Sequence, residues 1–146
     1  MLTIKVHTDG GSRGNPGPAA LGVVIEAPIN KGYSHFLGKA TNNEAEYSAV
    51  VLALEKIRAT MGKDKVKGIH AQFFMDSQLA VNQLSGAWKV EGPTIIPLFM
   101  KIWNLRIEFG EVSFKYVPRE QNKEADKLVN QELDKHTFGG DSLFNL

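Results

Sequence analysis

The feature that most limits how this chain can fold is a change of hydrophobic period near residue 42. Before it, apolar residues recur every second position: Leu2, Ile4 and Val6 alternate with Thr3, Lys5 and His7, which predicts a half-buried strand over 2–8 ending at Asp9. Residues 21–26 and 33–39 read as two more strands around a turn at Pro28, Asn30 and Gly32. Over 42–60, Tyr47, Val50, Val51, Leu54 and Ile57 recur at helical spacing, behind a Thr-Asn-Asn start that offers N-cap oxygens. Residues 69–75 then suit a buried strand ending at Asp76, 77–84 and 93–105 suit helices with Pro93 in a first turn, 112–117 a last strand, and 123–133 a last helix. Three strands joined by short turns are expected to be antiparallel, and strands reached through helices parallel to the first. The fold expected is an α/β domain with a five-stranded mixed sheet flanked by helices.

With 146 residues, 42% of them hydrophobic, the chain has the mass for one domain with a real core. We expect it to span 1–135, with a tail over 136–146 that lacks any period. No apolar run long enough for a signal peptide or a membrane span is present, and there is no cysteine to form a disulfide or a thiolate. A cytoplasmic, monomeric protein is the expectation. Seventeen Lys and Arg against sixteen Asp and Glu give a net charge of +1, so nucleic-acid binding through bulk charge is excluded. Any such binding must use a local patch, backbone amides, or cations held by acidic residues.

Acidic residues occupy suggestive places. Thr8-Asp9-Gly10 and Met75-Asp76-Ser77 each close a strand, and ligands of open α/β sheets sit beyond the carboxyl ends of strands. Each also has a plain explanation: Asp before Gly is turn chemistry, and Asp76 can cap the helix that follows. Glu46 shares the core-facing side of its helix with Val50, Ala53 and Ile57, whereas Glu44 shares a solvated side with Ser48 and Glu55. A carboxylate turned inward requires a hydrogen bond, a pairing charge or a metal. Asp126 falls in the first turn of the last helix, where the helix dipole alone would favour it. Taken together, the four oxygen donors suit Mg²⁺ or Mn²⁺, and two such ions can drive phosphodiester cleavage.

Four blocks carry a resemblance: TDGGSRGNPGPAA (8–20), TNNEAEYSAVVLAL (41–54), MDSQLAVNQL (75–84) and VPREQNKEADKLVN (117–130). In order and spacing they resemble the type 1 ribonuclease H family, in the subgroup without a basic protrusion. The resemblance implies a ribonuclease H-like fold, hydrolysis of the RNA strand of RNA–DNA hybrids to 5′-phosphate and 3′-hydroxyl ends, and two Mg²⁺ or Mn²⁺ ions. It implies that Asp9, Glu46, Asp76 and Asp126 are the catalytic, metal-binding carboxylates. Asp9 would bridge both ions, Asp126 would help hold the one that activates water, and Glu46 and Asp76 the one beside the leaving oxygen. By the same resemblance Gly10, Gly11, Asn15, Asn43, Ser77 and Gln78 contact nucleic acid, and Thr41 and Asn42 help hold a phosphate of the DNA strand. Two other readings stay open here: a catalytically silent module that binds hybrid, and a resolvase-like nuclease that cuts DNA.

The glycine-rich stretch after Asp9 allows close approach of backbone to a ligand, and 2′-hydroxyls distinguish RNA from DNA there. It lacks the Gly-Lys-Ser/Thr ending of a phosphate-binding P-loop. The chain departs from many relatives in two places. No histidine stands before the last helix, where Arg119 and Glu120 are the candidate auxiliary residues and His136 the nearest histidine. The segment SGAWKVEG, 85–92, carries one lysine in place of a Lys-rich insertion, with Trp88 as a stacking candidate. Weak, steeply salt-dependent hybrid binding follows as an expectation.

Overall fold

A computed structural model describes residues 1–137. Its strands are β1 (Leu2–Ser12), β2 (Gly17–Ile25), β3 (Lys31–Ala40), β4 (Ile69–Met75) and β5 (Glu111–Tyr116), and its helices are α1 (Asn42–Met61), α2 (Gln78–Leu84), α3 (Ile95–Ile107) and α4 (Lys123–Thr137). Short 3₁₀ turns occupy Lys65–Gly68 and Arg119–Gln121. The sheet order is β3-β2-β1-β4-β5. The β1–β2 and β2–β3 pairs are antiparallel, and β1–β4 and β4–β5 are parallel, as the short turns and helical crossovers require.

Helices cover both faces. Ile4, Val6, Val23, Phe73, Tyr47, Val50, Leu54, Ile57 and Ile102 form the main core between the sheet and the helices α1 and α3. On the opposite face α4 lays Val129 and Leu133 over Ala20, beside Phe36. Helix α1 starts with a reciprocal cap: Thr41 Oγ1 accepts the Glu44 amide at 3.1 Å, and Glu44 Oε1 accepts the Thr41 amide at 2.9 Å. Glu44 therefore has a local structural task, while Glu46 turns inward and is buried.

Several boundaries differ from the sequence expectation. Strand β1 does not stop at Asp9; Gly10, Gly11 and Ser12 continue the ladder opposite Leu21, Ala20 and Ala19. Leu2, expected inward, is 46% exposed because the strand begins outside the core. Helix α3 begins at Ile95, so Pro93 lies ahead of its Thr94 N-cap. The proline inside its first turn is Pro97, where a backbone N–H has no helical acceptor to lose. Helix α4 runs through His136 to Thr137, beyond the helix end expected at 133. The tail's remainder lies outside the described residues.

Candidate active site

The register of the two central strands builds the site. His7 pairs with Phe74, and two residues farther along stand Asp9, within β1, and Asp76, just past the end of β4. Gly10 brings the third acid. A Cβ on Gly10 would lie 2.3 Å from the Ala45 carbonyl carbon and 2.4 Å from the Glu46 nitrogen. Only a residue without a side chain lets the first turn of α1 touch β1 there, which delivers Glu46 next to Asp9. Carboxylate oxygens of Asp9, Glu46 and Asp76 all lie within 4.8 Å of one another.

Asp126 arrives from the other face. Gly22 pairs with Asp9 across the β1–β2 ladder, and a Cβ on Gly22 would lie 2.4 Å from the carbonyl oxygen of Ala125. Helix α4 thus rests on backbone directly beside Asp9, and its next residue, Asp126, comes into hydrogen-bonding reach of the Asp9 carboxylate. Asn122 fastens this junction: its Nδ2 donates to the Thr8 carbonyl at 2.9 Å, and its own carbonyl accepts the Asp126 amide at 3.1 Å.

The electrostatics follow from crowding acids in a dry place. Burial, followed by the charges of Asp76 and Asp126, pushes the Asp9 carboxyl up to about 8; the Gly10 amide opposes this. Glu46 is raised well above its ordinary value by burial first, then by Asp9 and Asp76, against the Gly10 amide and the Arg119 charge. Glu46 Oε1 is buried without a hydrogen-bond partner. An orphaned carboxylate oxygen inside a cluster of hard oxygen donors is the arrangement a divalent cation satisfies, and the residues fit that group. Asp76 is not spent on capping α2, because Ser77 does this by accepting the Ala80 amide at 3.1 Å.

A cleft of about 420 Å³ contains all four acids with Gly10, Gly11, Asn42, Ser77 and Arg119. Arg119 places a guanidinium nitrogen 3.7 Å from Asp126 Oδ1. Glu120 instead lines a separate cavity with His7 and Glu26. His136 turns away, stacking on Phe36 with ring centroids 4.2 Å apart and pairing with Glu132 at 3.3 Å. Thr41 serves as the cap of α1, and Asn15 Oδ1 accepts the Asn42 amide at 3.0 Å. Asn42 Oδ1 in turn accepts from the Ser12 amide at 2.9 Å and from its hydroxyl at 3.1 Å. Gln78 is exposed at the start of α2, Trp88 is half exposed, and Asn43 reaches Gln83. The sequence reading passed over Tyr116 and Asn130, which also line the cleft, and Asn122. Tyr116 had a usable signal: it ends β5, on the same edge as Asp9 and Asp76.

Comparison with known proteins agrees with this fold. The model of the Reverse transcriptase-like family matches residues 7–132. A solved structure of LC11-RNase H1 in complex with RNA/DNA hybrid superposes with a TM-score of 0.84 at 42% identity, covering 90% of this chain and 97% of that one. Ribonuclease HI of Halobacterium salinarum is 39% identical over 134 residues, 90% of this chain and 64% of its own length. The Bifunctional protein Rv2228c of Mycobacterium tuberculosis is 36% identical over 139 residues, 91% of this chain. This chain spans a little over a third of that mycobacterial protein, 36% of its length. The fold is that of the ribonuclease H-like architecture. The chain belongs to the type 1 ribonuclease H family.

Proposed function

We propose that this protein is a divalent-metal-dependent endonuclease that hydrolyses the RNA strand of RNA–DNA hybrids, leaving 5′-phosphate and 3′-hydroxyl ends. The observation that carries the reading is the convergence of Asp9, Glu46 and Asp76 within 4.8 Å, with one Glu46 oxygen left unpartnered. All four acids are present and gathered at one edge of the sheet, which speaks against a catalytically silent binding module. The 42% identity to a ribonuclease H1 crystallised on hybrid favours this substrate over DNA duplex.

Asp9, lying between the Glu46–Asp76 side and the Asp126 side, would contribute a carboxylate to both metal sites. Asp126 would complete one of these sites, and Glu46 with Asp76 the other. When bound, two Mg²⁺ or Mn²⁺ ions would supply an activated water and neutralise charge on the leaving oxygen. The Gly10–Gly11–Ser12 edge presents backbone and a small hydroxyl, which suits close approach of an RNA strand and its 2′-hydroxyls. Arg119 cannot act as an ordinary base, so its part is to orient Asp126 and to offer positive charge to a phosphate. We place the enzyme in the cytoplasm as a monomer, with residues 1–135 as its catalytic domain. Among the described residues no helix is long and apolar enough to cross a membrane.

The test is cleavage of an end-labelled hybrid with Mg²⁺, with Mn²⁺ and with chelator, beside Asp76→Asn, with single-stranded RNA and DNA duplex as controls. Cutting confined to the hybrid's RNA, lost with chelator and in the variant, is the expected result. Binding without cutting under either metal, or cutting of DNA duplex, overturns the reading.

A further inference from the structure

Gln83 is a buried polar side chain that the chemistry above does not use. It lies near the end of α2, 6% exposed, yet its side chain makes three hydrogen bonds, to two separate segments. Its Oε1 accepts the Tyr47 hydroxyl at 2.8 Å and the Asn43 amide at 3.4 Å, both from α1. Its Nε2 donates to the Lys89 carbonyl at 3.1 Å. Burying a glutamine is costly unless its polar atoms are partnered, and here α1 and the segment after α2 supply the partners.

The Lys89 bond completes a folded strap. After α2, Gly86 takes φ +85°, a left-handed turn natural only to glycine, and reverses the chain. The Ala87 and Trp88 amides both return to the Asn82 carbonyl, at 2.8 and 3.1 Å. Val90 then packs against the main core, while Trp88 stands 50% exposed between these two anchor points. The backbone bonds on either side of Trp88 order its strap before any partner arrives, so an aromatic there can bind at a smaller entropic cost. Asn43 precedes Glu46 by three residues, so the Gln83 junction sits about one helical turn, roughly 5 Å, from a carboxylate of the cleft.

We propose that Gln83 is a positioning residue that locks the Trp88 strap to the first turn of α1, making Asn43 and Trp88 one rigid substrate-binding edge. The inference rests on the proposed action on a nucleic-acid hybrid. It assigns Gln83 to binding and leaves bond cleavage to the acids. The short strap, with its single lysine, would then hold nucleic acid by base stacking and preorganisation more than by charge.

The experiment compares wild type, Gln83→Met, Trp88→Ala and the double variant in steady-state cleavage of hybrid at saturating Mg²⁺. Gln83→Met is expected to raise KM about tenfold, the scale of one lost base–aromatic stack, with kcat within about twofold. The double variant is expected to be no worse than Trp88→Ala alone, because both remove the same contact. A fall in kcat at constant KM, no change in either, or multiplying effects in the double variant overturns the proposal. Tyr47→Phe, which deletes one hydroxyl and keeps the core filled, raises KM in the same sense and stands in if Gln83→Met does not fold. A substrate-free arm uses Trp103→Phe, which leaves Trp88 the sole tryptophan: Gln83→Met should lower its fluorescence anisotropy, and an unchanged anisotropy overturns the proposal. If wild type does not cut hybrid, the proposed function fails, and the anisotropy arm still reads Gln83's hold on the strap.

Discussion

Asp9→Asn should make the metal-free protein more stable while abolishing cleavage, and the size of the gain follows from the site. In the folded chain the Asp9 carboxyl is pushed from 3.8 to about 8 by burial and by the charges of Asp76 and Asp126. Once unfolded, the same group titrates near its ordinary value. Folding therefore takes up a proton between those two pH values, and stability falls as pH rises through that window. At about 1.4 kcal/mol per unit, the roughly three units between 3.8 and pH 7 cost at most about 4 kcal/mol, less whatever side-chain rotation and entering water relieve. Asparagine keeps the shape and an acceptor for the Gly10 amide but cannot ionise. The expected gain is about 2–4 kcal/mol at pH 7, shrinking to near zero below pH 4 and flat above pH 8. Urea unfolding of both proteins in chelator, from pH 3.5 to 9, measures it directly. Added Mg²⁺ should narrow the gap, because a cation bound only to folded wild type stabilises it by mass action. Equal stability at pH 7, or a gain that does not vary with pH, would refute the account of how the acids are held.

Other outcomes follow from contacts already described. Gly10→Ala should reduce cleavage more than a hundredfold and destabilise by about 2–3 kcal/mol, because its methyl would meet α1 backbone; Gly11→Ala, whose methyl would stand 3.7 Å from Val129 Cγ1, should fold normally. Thermal melts and single-turnover rates of the pair check this contrast. Asn122→Ala breaks the tie to the Thr8 carbonyl and should lower kcat about tenfold with KM little changed, as read from steady-state kinetics. Arg119→Ala should lower kcat with the four acids intact, and Arg119→Lys should recover part of the loss if positive charge near Asp126 is what matters.

Much of this was legible in the residues because local periodicity and global fold agree. The β4 run over 69–75 had no competing reading, and its boundaries coincide with the strand. Glu46 was separated from Glu44 by helical spacing alone, and burial with the capping box explains both. What could not be read were consequences of tertiary contact. Gly10, Gly11 and Ser12 look like a turn, since glycine weakens a strand in isolation; pairing with β2 overrides that preference. Pro93 was credited with the start of α3 because proline suits a first turn, but the same rule holds for Pro97, and spacing cannot choose between them. Asn122 carried no signal, because its value lies in joining Thr8 to Asp126, residues remote from one another in sequence.

The glycines beside Asp9 show how the same residues can be noticed for one reason and needed for another. Their number suggested close approach by a ligand, yet Gly10 among them, and Gly22 beyond the stretch, first admit the protein's own helices. Gly10 lets α1 touch one face of β1, and Gly22, paired with Asp9, lets α4 touch β2 from the other side. With a side chain at either position the helix would stand off by more than an ångström, and Glu46 or Asp126 would leave the reach of Asp9. In their ionised forms the carboxylates repel one another, so charge attraction among them cannot assemble the metal-free site. Its assembly must be driven from outside, by apolar burial under α1 and α4, and the two glycines convert that burial into proximity of like charges. The cluster is thereby held before any cation arrives, and a cation meets donors whose mutual repulsion the fold has already overcome.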